Sequence, residues 1–208
     1  MGQLSRLPLE ELVHKYKPQF FIETGLGDGS GMKYITEGSP LHLCFERIFS
    51  IEIIEEQVNK LKKELLHPHL EFIAGESAEA FKELLPRLKG NIMFWLDAHY
   101  PGADIGCGSY DGEENEKVRL PLEEELNLIK NLRPKDNRDI IMMDDLILYK
   151  DCGKNIGDFF HQQEVVDKLT PRGEFSELNF FEKIFQDTHD FELNTSDTYY
   201  GFLKPKEK

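Results

Sequence analysis

The sequence predicts a doubly wound α/β fold: a mostly parallel, seven-stranded sheet with helices on both faces, finishing in an antiparallel hairpin. Three observations predict it. Short apolar runs suited to buried strands alternate with amphipathic stretches. The strand runs are continuously apolar, as parallel strands covered on both faces require. The last two runs, Phe191–Leu193 and Thr198–Leu203, are separated only by the polar stretch Asn194–Asp197. A parallel crossover needs roughly a dozen residues, so this pair must be antiparallel.

In chain order, Leu9–Tyr16 reads as a leading helix stopped by Pro18, and Gln19–Glu23 (QFFIE) as a buried strand closed by glycines. Arg47–Ile53 (RIFSIEI) is a second strand. Glu55–Leu66 is helical, with Ile54, Val58, Leu61 and Leu65 on one face. Leu70–Ala74 is a third strand, and Ser77–Leu88 a helix with Ser77 as its expected N-cap. Asn91–Asp97 (NIMFWLD) is the most apolar strand, with Trp95 in the core, and Leu122–Leu132 is helical. Asp139–Asp145 (DIIMMDD) is a fifth strand and Asn179–Gln186 a helix before the hairpin. Two segments have no period: Tyr100–Arg119, rich in Gly, Asp and Glu, and Tyr149–Glu174, where Asp158–Leu169 is a candidate helix. Each follows the carboxyl end of a strand, where open α/β sheets bind ligands, so both are expected lid or substrate loops of a single domain spanning 1–208.

Composition narrows the function. With 25 basic against 39 acidic residues the formal charge is −14, which repels phosphate backbones and argues against a nucleic-acid partner. No apolar run approaches the roughly 20 residues of a membrane helix, and the N-terminus lacks a signal-peptide core, so no membrane association and a cytoplasmic location are expected. The 3 cysteines, Cys44, Cys107 and Cys152, form no C-x-x-C, which suggests a reducing compartment and no structural zinc.

The chemistry concentrates at strand ends. Glu23-Thr24-Gly25-Leu26-Gly27-Asp28-Gly29-Ser30-Gly31 follows the first strand and opens a helix. Glycines there allow positive φ and close approach of backbone to ligand, and helix-start amides favour a carboxylate. The spacing fails the nicotinamide fingerprint G-x-G-x-x-G: counted from Gly25 its last position is Ser30, counted from Gly27 it is Met32. An acid two residues before the first glycine disfavours a pyrophosphate and suits a ligand bearing an ammonium and a sulfonium. Glu52, ending strand two, is placed to accept hydrogen bonds from ribose hydroxyls. Gly75-Glu76-Ser77 forms a polar turn after strand three that can edge an adenine; alternatively Ser77 only caps its helix.

The ordered set E-T-G-x-G-x-G, an acid closing strand two, G-E-S after strand three and L-D-A-H after strand four resembles the class I S-adenosylmethionine (SAM)-dependent methyltransferases, over roughly Gln19–Leu203. That resemblance implies a Rossmann-like strand order 3-2-1-4-5-7-6 with strand seven antiparallel. It implies that Glu23, Thr24, Gly25, Gly27, Gly29 and Ser30 form the methionine end of a SAM site, that Glu52 holds the ribose, and that Glu76 or Ser77 meets the adenine edge, with Asp97 beside them.

Strand four ends Leu96-Asp97-Ala98-His99-Tyr100 and strand five Met143-Asp144-Asp145-Leu146. Adjacent parallel strands bring these acids and the imidazole to one edge. Clustered carboxylates repel unless a cation lies among them, and hard oxygen ligands suit Mg²⁺ or a similar divalent ion. The pattern is similar to the cation-dependent O-methyltransferases of the catechol and macrolide-sugar types. Asp97, Asp144 and Asp145 would then be metal ligands, with Asp-Asp here where the catechol enzymes carry Asp-Asn. A hydroxyl is a poor nucleophile until a cation or base acts on it; His99, assisted by Asp97, is the expected catalytic base. The expected function is O-methylation of a small-molecule or sugar hydroxyl. The alternatives are a nicotinamide-dependent oxidoreductase, or a non-catalytic nucleoside-binding protein of the same fold. Tyr100, Tyr110 and Tyr149 are candidates for an acceptor pocket or for packing, and His67 and His69, flanking Pro68, are expected to have no catalytic part.

Overall fold

The computed structural model describes residues 4–102, 105–108, 115–146, 180–194 and 200–207. The strands are β1 (Phe20–Thr24), β2 (Arg47–Glu52), β3 (Leu70–Ala74), β4 (Ile92–Leu96), β5 (Ile140–Met143), β6 (His189–Asn194) and β7 (Tyr200–Pro205). They form one sheet in the order β3-β2-β1-β4-β5-β7-β6. The first five strands run parallel, β7 is antiparallel to β5, and β6 and β7 form the terminal antiparallel pair. This is the order that the resemblance implies. The described helices are α1 (Leu9–Tyr16), α2 (Ser30–Lys33), α3 (Glu55–Glu64), α4 (Ser77–Leu84), α5 (Glu116–Arg119), α6 (Leu122–Leu132) and α7 (Phe180–Phe185).

Strand side chains alternate between two helix layers. Phe21, Ile48, Met93, Trp95, Ile140 and Met142 pack against α1, α2 and α3 through Leu12, Met32, Val58 and Leu61. Ile22, Ile51, Phe94, Leu96, Ile141 and Met143 pack against α4, α6 and α7 through Phe81, Leu126, Ile129 and Phe185. At the amino edge Arg133 ties the end of α6 to the α4–β4 connection and to the start of β5. It pairs with Asp139 at 2.8 Å, donates to the Leu88 carbonyl at 2.6 Å, and also donates to the Gly90 carbonyl. Asp139 also accepts from the Ile92 amide at 2.8 Å.

Several boundaries differ from the sequence expectation. The helix expected to reach Leu88 stops at Leu84 and continues as a 3-10 turn over Leu85–Arg87, because Pro86 cannot supply an amide. Ser77 is the first helical residue; Glu76 holds the N-cap position, with no side-chain capping bond. Between α2 and β2 the chain forms a π-helical turn over Tyr34–Gly38 and a 3-10 helix over Pro40–Cys44, neither visible in the apolar pattern. β6 begins at His189, where alternation with polar residues hides the start of an edge strand. The candidate helix Asp158–Leu169, the Tyr149–Glu174 loop, Tyr110, Tyr149 and most of the Asn194–Asp197 turn lie outside the described residues. Among the described residues no helix is long and apolar enough to cross a membrane.

Candidate active site

Strand register sets the site. Thr24 pairs with Ile51 and with Leu96, and Leu96 pairs with Met143. Gly25, Asp97 and Asp144 therefore follow the last paired residues of β1, β4 and β5, and Glu52 ends β2 beside them, in one row along the carboxyl edge. The Asp97 amide donates to the Thr24 carbonyl and the Asp144 amide to the Leu96 carbonyl, each at 3.0 Å, which holds that row in line. A crevice of about 1010 Å³, counting its open mouth, runs along it.

The glycine loop fits tightly between β1 and β4. Gly25 has φ +79°, and a Cβ there would lie 2.5 Å from the Asp97 carbonyl oxygen, so only glycine fits. The loop is fastened from the α3 side. Glu52 accepts from the Gly27 amide at 3.3 Å and from the Ile54 amide at 2.9 Å, and the Gln57 side-chain amide donates to the Gly27 carbonyl at 2.6 Å. Glu52 thus spends one lone pair per oxygen on the scaffold and keeps the remainder toward the crevice.

Glu23 lies one residue deeper and is 2% exposed. It accepts from the Ser50 hydroxyl at 2.6 Å. Burial pushes its carboxyl up to about 8; the Ser50 hydrogen bond opposes this, and the charges of Glu52 and Asp28 add to it. Empty, this group holds a proton near neutrality; a cation beside it would expel that proton.

Glu23, Gly25, Gly27, Ser30, Glu52, Glu76, Ser77, Asp97 and His99 all line the crevice. Thr24 and Gly29, expected there too, do not. Thr24 shares the parity of Ile22 and faces the α4–α6 layer, while Gly29 is the left-handed N-cap of α2, backed by Leu61. From the first expected loop Ile105, Lys117 and Val118 close one side of the crevice.

At the β4 and β5 ends, ligand atoms of Asp97, His99 and Asp145 lie within 4.8 Å of one another. His99 Nδ1 is 3.0 Å from the Asp97 carbonyl oxygen, which can only accept, so Nδ1 carries the hydrogen. Nε2, left with its lone pair, sits 3.3 Å from Asp145 Oδ2. Two acceptors at that separation require a proton or a cation between them. Burial pushes the Asp97 carboxyl well above the usual carboxylate range; Asp144, Asp145 and Glu23 add to the shift and His99 opposes it. Asp144 adjoins the trio, its charge acting on Asp97 and its Oδ1 accepting the Asp145 amide at 2.8 Å. Asp145 and Tyr100 hold left-handed backbone at φ +49° and +36°.

Three polar residues here escaped the sequence reading. Ser50 is a lone hydroxyl in an apolar strand, Gln57 sits on the buried side of α3, and Glu125 is 1% exposed on α6. Each interrupts an apolar face, which is the signal that could have found them.

No model of a known protein family matches the sequence, and no curated protein matches it. Solved structures do share its fold. A Staphylococcus aureus protein provisionally named a caffeoyl-CoA O-methyltransferase superposes with TM-score 0.59 at 14% identity, over 99% of this chain and 85% of that one. A Podospora anserina methyltransferase with bound S-adenosylhomocysteine (SAH) gives 0.53 at 14%, over 98% and 84%. A provisionally named Streptococcus mutans methyltransferase, also with SAH, gives 0.50 at 13%, over 95% and 97%. The chain has the Rossmann-like fold of the class I SAM-dependent methyltransferases, as its strand order already indicates.

Proposed function

We propose that the chain is a SAM-dependent O-methyltransferase acting on a hydroxyl of a small molecule or sugar, with a divalent cation, Mg²⁺ or Mn²⁺, as its assistant. The observation that carries this reading is the pair of buried carboxylates flanking the glycine loop. Glu23 lies under its start, toward the charged methionine end of the donor; Glu52 lies beside its middle, toward the ribose. Glu23 suits a cationic ligand and disfavours the pyrophosphate of a nicotinamide dinucleotide, and Glu52 suits a ribose. Named O-methyltransferase chemistry in a neighbour of the same fold supports an oxygen acceptor.

The donor set at the β4 and β5 ends fits a divalent ion: two carboxylates and an imidazole nitrogen converge there, and burial, with the charges of Asp144 and Asp145 added, holds Asp97 well above the usual carboxylate range. Asp97, Asp145 and His99 Nε2 would hold it, with Asp144 bracing Asp145 through its backbone amide. When bound, such an ion lowers the pKa of an acceptor hydroxyl and fixes its oxygen. The residues themselves orient the pair. The backbone of the glycine loop lets the donor lie close, Glu23 compensates its positive charge, and Tyr100 and Pro101 close the crevice beside His99. The acceptor hydroxyl gives its proton to water in the open crevice, its oxygen attacks the sulfonium methyl in line, the carbon–sulfur bond breaks, and neutral thioether leaves.

Thermal shift tests the reading. SAM and SAH raise the melting temperature of the protein and reduced nicotinamide dinucleotide does not, since a ligand that binds only the native state stabilises it by mass action. A shift with the dinucleotide and none with SAM overturns it.

A further inference from the structure

Glu125 is a buried acid on α6. It lies in the first turn of α6, one turn beyond the crevice-lining Pro121, whose carbonyl accepts the Glu125 amide at 2.9 Å. The residue is 1% exposed, and among the described residues neither carboxyl oxygen completes a hydrogen bond; the buried Thr24 hydroxyl completes none either. Two hydroxyls face the carboxyl closely enough to favour its charged form, that of Ser77 at the start of α4 and that of Thr24 at the end of β1. A buried carboxyl that completes no hydrogen bond is costly, and such a group calls for an explanation.

We propose that Glu125 is a positioning residue that sets the direction of the Ser77 hydroxyl, and through it the enzyme's preference for an amino purine at the nucleoside end of the crevice. The inference rests on the SAM reading, which places the base against the Glu76–Ser77 turn. A serine hydroxyl has one proton and two lone pairs. When Glu125 is ionised, the Ser77 proton turns toward it and a lone pair faces the crevice, ready to accept from the 6-amino group, the only donor on the adenine base. When Glu125 is protonated, its own hydrogen can go to the Ser77 or Thr24 oxygen. The Ser77 hydroxyl then turns outward as a donor and suits a 6-oxo purine. Burial pushes the Glu125 carboxyl up to about 7, opposed by the two hydroxyls, and no charged group facing it from β1, α4 or α6 contributes. The switch therefore falls at neutral pH.

Adenosine and inosine are the probes, because neither carries the amino-acid part that would engage Glu23. Titration calorimetry at pH 6 and pH 8 is expected to show adenosine binding tightening by about fivefold as pH rises, the worth of one hydrogen bond, and inosine binding weakening or staying level. Glu125→Gln, which keeps the shape but cannot titrate, and Ser77→Ala, which removes the hydroxyl, each abolish the adenosine pH dependence. Circular dichroism confirms that both variants are folded, and either one alone suffices. Adenosine binding that is equal at the two pH values, or a dependence that survives in Glu125→Gln, overturns the role of Glu125 while leaving the SAM reading intact. Failure of SAM, SAH and both nucleosides to bind at any pH overturns both.

Discussion

Glu23→Gln isolates a titrating group under the site. The Glu23 carboxyl stands at about 8 in the empty protein. To face an ammonium or sulfonium it must be ionised. The ionised fraction is then about one-hundredth at pH 6 and about one-half at pH 8. If the bound state always holds the carboxylate, SAM affinity rises about fiftyfold across that range, and binding at pH 7 releases nearly one proton. Titration calorimetry in two buffers of different ionisation enthalpy measures both quantities. Glu23→Gln removes the proton release and most of the pH slope, and weakens binding at pH 8 more than at pH 6. The stability of the empty protein gives a second readout. The folded pKa lies above the unfolded value of 4.5, so the contribution of Glu23 is full below that value and is lost as pH rises toward 8. The loss is about 1.4 kcal/mol per unit, and Glu23→Gln flattens it. Equal SAM affinity at pH 6 and 8 in the wild type, or an unchanged slope in the variant, refutes the reasoning.

Other perturbations have equally definite outcomes. Gly25→Ala forces a Cβ to 2.5 Å from the Asp97 carbonyl oxygen at φ +79°; it should lower stability by at least about 2 kcal/mol and SAM affinity with it, read by melting temperature and titration. Chelator and Asp145→Asn should each abolish methyl transfer, Mg²⁺ or Mn²⁺ restoring the chelated wild type; full turnover in chelator removes the cation and leaves His99 as the base. Asp139→Asn leaves the Arg133 guanidinium, paired at 2.8 Å, without its counter-charge in the core. The expected cost is about 3–5 kcal/mol, a fall in melting temperature of roughly 10 °C, with SAM affinity per folded molecule unchanged.

The architecture was legible because apolar runs separate strands from helices and a short polar link forbids a crossover. β3 and α6 appear with the expected boundaries. The site was legible wherever chemistry follows a strand end: Glu23, Glu52, Asp97 and His99 all reach the crevice. What stayed hidden depends on contacts between distant segments. Thr24 belongs to the motif by sequence but turns to the opposite face by strand parity. Gln57 shows its purpose only when α3 lies beside the glycine loop, 30 residues earlier in the chain. The approach of His99 to Asp145 joins the segments leaving β4 and β5, and the left-handed backbone at Asp145 is announced by no residue pattern.

That turn has a consequence for engineering. A non-glycine residue held at positive φ costs of order 1–3 kcal/mol, and Asp145 and Tyr100 both sit there, on the segments leaving β5 and β4. Glycine at Asp145 would relax the chain and raise its tolerance to heat, whereas at Tyr100 the loss of a buried ring would outweigh the relief. A screen that rewards thermal endurance alone would gather the Asp145 substitution early, and its hardiest clones would be the ones whose carboxylate had left the edge of the sheet.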